Sequence, residues 1–440
     1  MIGSKLAGDG AEQGGGRAVR ALLLHPYRRG AQRGRSPAAS LEELRGLAAA
    51  IELDVVRADC VSLLAPRPAT LIGSGKVAAV AQQVADAQVE LAVVDGALTP
   101  GQQRNLEKAW KCKVIDRTGL ILEIFGERAR TREGRLQVDL ARLSYQRGRL
   151  VRSWTHLERQ RGGLGAVGGP GETQLEADRR QIDERILRLK RQLGEVTRTR
   201  ELHRKRRRQA PYPLVALVGY TNAGKSTLFN RLTAAGVVAA DMLFATLDPT
   251  LRLLTLPSGR PILLSDTVGF IADLPTQLVA AFRATLEEVL EADLLLHIRD
   301  ISHPDSEAQG QDVRQVLREL GIDTAAADGI LEVCNKLDLA DEETKTRLRQ
   351  ASRRNGDSVA ISALEGAGLE ELLAAIDRRL GQARRVLECE LAASDGAALA
   401  WLYRNGQVLE RQDRDGRVHL RVGLDPADLG RARKLLGQAA

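Results

Sequence analysis

Short apolar runs separated by helical patterns fill the first quarter of the chain and return in its second half. Ala18–Leu24, Glu52–Val56, Leu91–Asp95 and Lys113–Asp116 each read as a strand, since each is a brief apolar run bounded by polar or turn residues. Between them, Ser40-Leu-Glu-Glu43 has the form of a capping box that opens a helix. Thr99-Pro100 supplies the polar cap and first-turn proline of another. Strands alternating with helices predict a parallel sheet. The rhythm then changes. Leu136, Leu140, Leu143, Leu150, Trp154 and Leu157 follow heptad spacing broken only at Arg147, and Ile182, Ile186, Leu189, Leu193 and Val196 repeat it. Two such helices joined by a loop predict an antiparallel coiled-coil hairpin; a second helix of about 30 residues would reach roughly 45 Å.

Strand-like runs resume at Leu214–Val218, Pro261–Asp266, Ala292–Asp300, Ile330–Asn335 and Val359–Ile361. Farther on, Val386–Leu391 reads as a strand, Ala397–Arg404 as a helix, Val408–Gln412 and Val418–Val422 as a hairpin about Asp413-Arg-Asp-Gly416, and Asp428–Leu436 as a closing helix. The expected fold is therefore α/β and multidomain. It comprises a disordered tail over 1–17, an N-terminal α/β domain over 18–128, a helical hairpin over 129–209, a second α/β domain over 210–382 and a small α+β domain over 383–440.

Composition changes this picture in three places. The glycine-rich first 17 residues hold no apolar core of a secretory signal, and no run of 18 apolar residues suggests a membrane span. The four cysteines, Cys60, Cys112, Cys334 and Cys389, lie far apart; they form neither a zinc motif nor a disulfide framework, and a reducing cytoplasm is the expected setting. Net charge is +8 over the whole chain, yet residues 127–209 carry 23 basic against 11 acidic residues. The hairpin is thus the basic part of the molecule. Its joining loop, Arg159–Thr173, contains six glycines and cannot build a packed core. A glycine-rich tip on a long basic arm suits a narrow, phosphate-lined space. The Arg204-Lys-Arg-Arg-Arg208 run then leads into Leu214.

The candidate chemistry begins there. Gly219-Tyr-Thr-Asn-Ala-Gly224-Lys225-Ser226, between the Leu214–Val218 strand and the helical Thr227–Leu232, has the spacing of a phosphate-binding loop in its required strand–loop–helix setting. Loop N–H groups and the helix N-terminus would face the phosphates. Lys225 would reach the β- and γ-phosphates, and the Ser226 hydroxyl would ligate Mg²⁺. Downstream, Phe244-Ala245-Thr246-Leu247-Asp248-Pro-Thr250 fits a switch element that wraps Mg²⁺ and the γ-phosphate, with Thr246 as the candidate and Thr250 as its competitor. Asp266-Thr267-Val268-Gly269 ends a strand; the Asp would hold Mg²⁺ through water, and the Gly269 N–H would sense the γ-phosphate. Asn335-Lys336-Leu337-Asp338 ends another strand. An Asp carboxylate there accepts both the N1 and N2 hydrogens of guanine and would be left unpaired by adenine. Asn335 would face guanine N7 and O6, the Lys336 stem would cover the base, and Ser362-Ala363-Leu364 would offer a backbone N–H to O6. These motifs in this order predict a guanine-nucleotide (P-loop GTPase) domain over 210–382. The shorter Ile72-Gly73-Ser74-Gly75-Lys76 reads as a tight turn before a helix.

With these residues in view, the chain resembles the HflX family, in the Obg–HflX branch of GTPases. The resemblance rests on Gly219–Thr227, Phe244–Thr250 and Asp266–Phe270, and beyond them on Ile115-Asp-Arg-Thr-Gly, Arg128-Ala-Arg-Thr-Arg-Glu-Gly134 and Gly169-Pro-Gly-Glu-Thr-Gln-Leu-Glu176. It implies a monomeric, cytoplasmic GTPase that binds the large ribosomal subunit and its rRNA and splits or rescues stalled ribosomes under stress. It also implies a glycine-rich tip that approaches the peptidyl-transferase centre, and ATP binding near Gly73–Gly75. An RNA-remodelling ATPase and a GTP-gated scaffold without useful turnover stay open beside that reading. Two positions qualify it. Phe270 stands where Ras-like proteins carry the glutamine that orients water, so unaided hydrolysis is expected to be slow. Ala272 stands where the family commonly carries a basic residue. Asn222 matches the position at which potassium-activated GTPases ligate K⁺.

Overall fold

The structure is a computed structural model that describes residues 17–28, 36–160, 170–207, 212–234, 243–244, 250–272, 283–322, 329–382, 385–414, 416–424 and 426–436. The tail over 1–16 and the hairpin tip over 161–169 lie outside them.

The N-terminal sheet is parallel, with strands β1 (Arg20–Arg28), β2 (Asp54–Leu63), β3 (Leu91–Val94) and β4 (Lys113–Asp116) in the order β2-β1-β3-β4. Helix α1 (Pro37–Ala49) follows β1, α2 (Ser74–Asp86) follows β2, and α3 (Pro100–Trp110) follows β3. Helix α4 (Arg117–Arg128) leaves β4 directly, capped by Asp116, whose carboxylate accepts the Gly119 N–H. Because both faces are covered, β3 reads as a continuous apolar run with every residue buried. Leu22, Leu24, Val80 and Trp110 fill one face, while Leu23, Leu44, Leu47 and Phe125 fill the other.

Two caps can be compared with the sequence. Thr99 and Gln102 form a reciprocal capping box at α3, as their spacing predicts. Ser40 does not open α1. The cap is Ser36, whose hydroxyl accepts the Ala39 N–H, with Pro37 in the first turn. Proline lacks the N–H that would be orphaned there, so the helix starts four residues earlier than Ser40-x-x-Glu43 suggests. Glu43 is thereby released from the capping role assigned to it. The turn at Gly73 precedes α2, as expected.

Helices α5 (Arg132–Gln160, 29 residues) and α6 (Pro170–Arg207, 38 residues) form the basic hairpin. At 1.5 Å per residue, α6 is about 57 Å long, more than the heptads alone suggested. Ile186 and Leu189 are buried along the seam, and Arg147, which interrupts the heptad, pairs with Asp183 at 2.7 Å. A second face of α5, carrying Val138 and Ala141, packs into the core beneath α4.

The central sheet comprises β5 (Leu214–Gly219), β6 (Thr250–Thr255), β7 (Pro261–Asp266), β8 (Leu294–Asp300), β9 (Ile330–Asn335) and β10 (Ser358–Ala360), in the order β10-β9-β8-β5-β7-β6. All pairs are parallel except β6 with β7. Helix α7 (Lys225–Thr233) follows β5, and helices α8 (Arg283–Leu290), α9 (Ser306–Glu319), α10 (Glu342–Asn355) and α11 (Leu369–Gln382) complete the alternation. Last, β11 (Arg385–Ala392), α12 (Gly396–Asn405), β12 (Gly406–Arg414), β13 (Arg417–Leu424) and α13 (Pro426–Leu435) make an antiparallel sheet, β11-β13-β12, around Leu402, Leu420, Val422 and Ala432.

The sequence did not predict that the first two sheets share one core. Leu44, Leu120 and Phe125 belong to the same cluster as Val218, Tyr220, Phe244 and Phe270.

Candidate functional site

The central sheet places its site at the carboxyl ends of the strands, on either side of β5, where the strand order diverges. β5 ends at Gly219, and α7 begins at Lys225. Gly224, between them, has φ +93°, and a Cβ added there would lie 2.2 Å from Asn335 Nδ2. Only glycine fits both the left-handed backbone and that approach. Asn222 is also left-handed, at φ +61°, with its side chain exposed; asparagine is among the residues that tolerate this conformation.

Lys225 is buried, and its Nζ donates to the carbonyls of Gly219 (3.1 Å) and Tyr220 (2.7 Å). Burial pulls its pKa down to about 8, and the nearby Asp266 carboxylate only partly offsets that. The next residue, Ser226, donates from Oγ to Asp266 Oδ2 at 2.7 Å. Asp266 is fully buried at the end of β7. A hydroxyl beside a carboxylate is an oxygen-donor pair of the kind hard divalent cations take. Among the described residues no group of three or more His, Cys, Asp or Glu side chains is placed to hold a metal by itself. Thr267 Oγ1 donates to the Leu217 carbonyl at 2.5 Å, which ties the segment after β7 back to β5. Beyond it, the N–H of Phe270 donates to Gly219 O (3.0 Å), and the N–H of Thr221 donates to Phe270 O (2.8 Å). Phe270 itself is buried in the shared core.

A second cluster lies at the end of β9. Asn335 Nδ2 donates to Ala223 O at 2.8 Å, while its Oδ1 accepts the Ala363 N–H at 2.9 Å. This one buried amide braces the phosphate loop against the loop after β10. Asp338 Oδ1 accepts from Ser362 Oγ at 2.5 Å. Lys336, left-handed at φ +64°, pairs with Asp300 at 2.7 Å. Leu364 is exposed, whereas Leu337 packs inward with Cys334 and Ala360.

The structure therefore brings Gly219–Thr227, Asp266–Gly269, Asn335–Asp338 and Ser362–Leu364 to one end of one sheet. Within these stretches Ala223, Val268 and Leu337 serve the cores. Phe244 turns away, buried edge-on against Phe125 at 4.7 Å between ring centroids. Ala245, Thr246, Leu247 and Asp248 lie outside the described residues. Thr250 opens β6 opposite Asp266.

Sequence reasoning missed the neighbours of Tyr220. Its hydroxyl donates to Glu43 Oε2 (2.5 Å) and accepts the Ala272 N–H (2.8 Å). Arg117 pairs with the other Glu43 oxygen and with Asp95 Oδ1 (2.8 Å), and donates to Ala272 O (3.3 Å). Asp95 in turn contacts His25 Nδ1 at 2.7 Å. Burial alone would raise the Asp95 pKa, but Arg117 and His25 outweigh it and hold the carboxyl below its usual value. Likewise burial disfavours charge on Arg117, yet Asp95 and Glu43 raise its pKa. Arg117 lies in the Ile115–Gly119 motif that had no assigned role, and Glu43 was hidden by its capping-box spacing.

Four consecutive parts of the chain match known families. Residues 38–126 match the family described as GTP-binding GTPase N-terminal, 128–207 its middle region, 214–336 the 50S ribosome-binding GTPase family, and 347–440 the HflX C-terminal domain. The chain is 54% identical over 391 residues to GTPase HflX of Magnetococcus marinus, with 89% of each chain covered. The chain belongs to the HflX family of GTPases. GTPase HflX of Escherichia coli is 44% identical over 390 residues, covering 88% of this chain and 90% of that one. A GTP-binding protein from Sulfolobus solfataricus, solved with GDP, is similar at 25% identity and a TM-score of 0.44, covering 83% of this chain and 99% of that one. As an HflX-family member the protein binds GTP and hydrolyses it. No helix among the described residues is long and apolar enough to cross a membrane.

Proposed function

We propose that this GTPase acts on the ribosome in the cytoplasm. In its GTP–Mg²⁺ state it grips the large subunit and splits or rescues stalled ribosomes under stress, and GTP hydrolysis releases it. The observation that carries this reading is the run of the 38-residue basic helix α6 into β5, the strand that delivers the phosphate loop. A cationic arm that long is suited to rRNA phosphate, and it joins the strand whose end would change with the nucleotide. The 50S ribosome-binding description matched by residues 214–336 supports the same partner.

Within the site, Lys225 would exchange its carbonyl partners for the β- and γ-phosphates. Ser226, with Asp266 behind it and Thr246 from the preceding segment, would hold Mg²⁺, which would neutralise developing charge on the phosphates. The N–H of Gly269 would meet the γ-phosphate. Asp338 would accept from guanine N1 and N2. Asn335 Nδ2, with one N–H on Ala223, keeps its second for N7. Because Ala363 already donates to Asn335, the O6 donor falls to the Leu364 N–H. Asn222 would ligate K⁺; equal hydrolysis rates in K⁺ and Na⁺ would remove that role. With phenylalanine at position 270, the ribosome supplies or orders the missing catalytic element.

The test is sedimentation of 70S ribosomes with the protein and a non-hydrolysable GTP analogue, GDP or ATP. Binding and splitting with the GTP analogue alone are expected. Splitting driven by ATP and surviving Lys225→Ala would point to the N-terminal sheet as the motor instead. Deleting residues 162–171 should abolish splitting and leave GTP binding intact; unchanged splitting would remove the tip from the mechanism.

A further inference from the structure

Thr221, the third residue of the phosphate loop, is buried, and its Oγ1 has no hydrogen-bond partner among the described residues. Its loop neighbours differ: Lys225 Nζ donates to two carbonyls and Ser226 Oγ to Asp266. The backbone N–H of Thr221 is engaged too, by Phe270 O. A buried hydroxyl without a partner costs free energy and calls for an explanation. Its surroundings supply one. A Cβ built on Gly269 would meet Thr221 Cα and Cγ2 at 2.9 Å and Lys225 Nζ at 3.1 Å. The Thr221 side chain, the Lys225 ammonium and the glycine of Asp-x-x-Gly therefore converge on one corner of the loop. Gly269 adds no side chain of its own to that corner, the Thr221 methyl faces it, and the buried Oγ1 is carried on the same Cβ as that methyl.

We propose that the Thr221 hydroxyl is a specificity-determining ligand, donating a hydrogen bond to a γ-phosphate oxygen and so favouring GTP over GDP. The inference rests on the reading of Lys225 and Gly269 as the γ-phosphate side of the site. GDP offers no oxygen there, so the hydroxyl stays unpaired in the GDP complex. In the GTP complex it gains a charge-assisted bond, stronger than one between neutral groups. The methyl Cγ2, packed towards Gly269, holds the rotamer.

The experiment uses the full-length chain with Mg²⁺. Thr221→Val keeps the shape and removes the hydroxyl; Thr221→Ser keeps the hydroxyl and removes the methyl. Dissociation constants for GDP and for a non-hydrolysable GTP analogue are measured by calorimetry. Thr221→Val should weaken the analogue about tenfold and change GDP less than twofold, with Thr221→Ser close to wild type for both. Thr221→Ala, which also lacks the hydroxyl, should match Thr221→Val and stands in for it if valine prevents folding. Equal weakening of GDP and analogue, a serine variant as poor as valine, or no change in either constant overturns the assignment. Lys225→Ala separates the layers: if it leaves the affinity for the analogue untouched, the reading of the whole corner fails, and not Thr221 alone.

Discussion

Two buried cations, Arg117 and Lys225, sit on either side of Tyr220 and are treated in opposite ways. Arg117 is enclosed by the carboxylates of Asp95 and Glu43, which push its pKa up despite burial. Lys225 has only carbonyl oxygens on its ammonium, with no carboxylate at ion-pair distance among the described residues, and burial draws its pKa down to about 8. A buried charge is tolerated when it is paired and hydrogen-bonded. Arg117 meets that condition within the protein, so it belongs to the architecture: it fastens the N-terminal sheet to the segment after β7. Lys225 meets it incompletely, with carbonyl oxygens in place of a carboxylate, which suits the phosphate-binding role proposed for it. The difference separates structural from functional charge within a single core.

The sharpest way to break the comparison is to remove Arg117. Arg117→Ala leaves the buried Asp95 and the half-buried Glu43 without the guanidinium, and stability should fall by about 3–5 kcal/mol. Urea unfolding measures it; a loss below 1 kcal/mol would mean that water, not Arg117, satisfies the carboxylates. Lys225→Ala should act in the reverse sense. The ligand-free protein should keep its stability, because the removed charge was poorly paired. Affinity for GTP and GDP should drop about 100-fold, or about 2.7 kcal/mol, the order expected for losing charge-assisted contacts to phosphate. If instead the variant loses stability and keeps its affinity, the two cations have been assigned the wrong way round.

These contrasts also mark what the sequence made legible. Strands such as Leu91–Val94 and Leu214–Gly219 were visible because strands buried on both faces must be apolar throughout. The phosphate loop was visible because its glycines, lysine and serine have to follow one another. The contact of Glu43 with Tyr220 spans 177 residues, and that of Arg117 with Glu43 spans 74. No local period encodes either. Glu43 was also misread, because Ser40-x-x-Glu43 has capping-box spacing although Ser36-Pro37 makes the cap. Phe244 was expected among nucleotide contacts on motif alone, and packing against Phe125 holds it in the shared core.

Tyr220 tests the join between the two cations. Its backbone carbonyl holds Lys225, and its hydroxyl bridges Glu43 and the Ala272 N–H. Tyr220→Phe keeps the ring in the core and deletes only the bridge. A loss of about 1–2 kcal/mol is expected, and a double-mutant cycle with Glu43→Gln should show coupling, since one change deletes the bond and the other removes its charge assistance. Strict additivity would mean that the hydroxyl acts alone and that the N-terminal sheet does not reach the loop through it.

The last effect is a protonic one at Lys225. Burial brings its folded pKa down to about 8, below the 10.5 of an ordinary lysine, so between those two pH values the unfolded chain holds a proton that the ligand-free folded protein has released. Stability grows with pH wherever the unfolded state binds more protons. The ligand-free protein should therefore gain stability from this group as pH rises through 8 towards 10.5, whereas below pH 8 the group contributes a constant penalty and no slope. Phosphate reverses the preference, since an anion favours the ammonium. Nucleotide binding at pH 9 should accordingly take up a fraction of a proton, seen as a calorimetric heat that changes with the ionisation enthalpy of the buffer, and binding at pH 7 should take up almost none at this residue. Lys225→Met should erase the rise in stability above pH 8 that this group supplies. A slope unchanged by that substitution would place the titrating group elsewhere and leave Lys225 protonated throughout, as securely charged as Arg117.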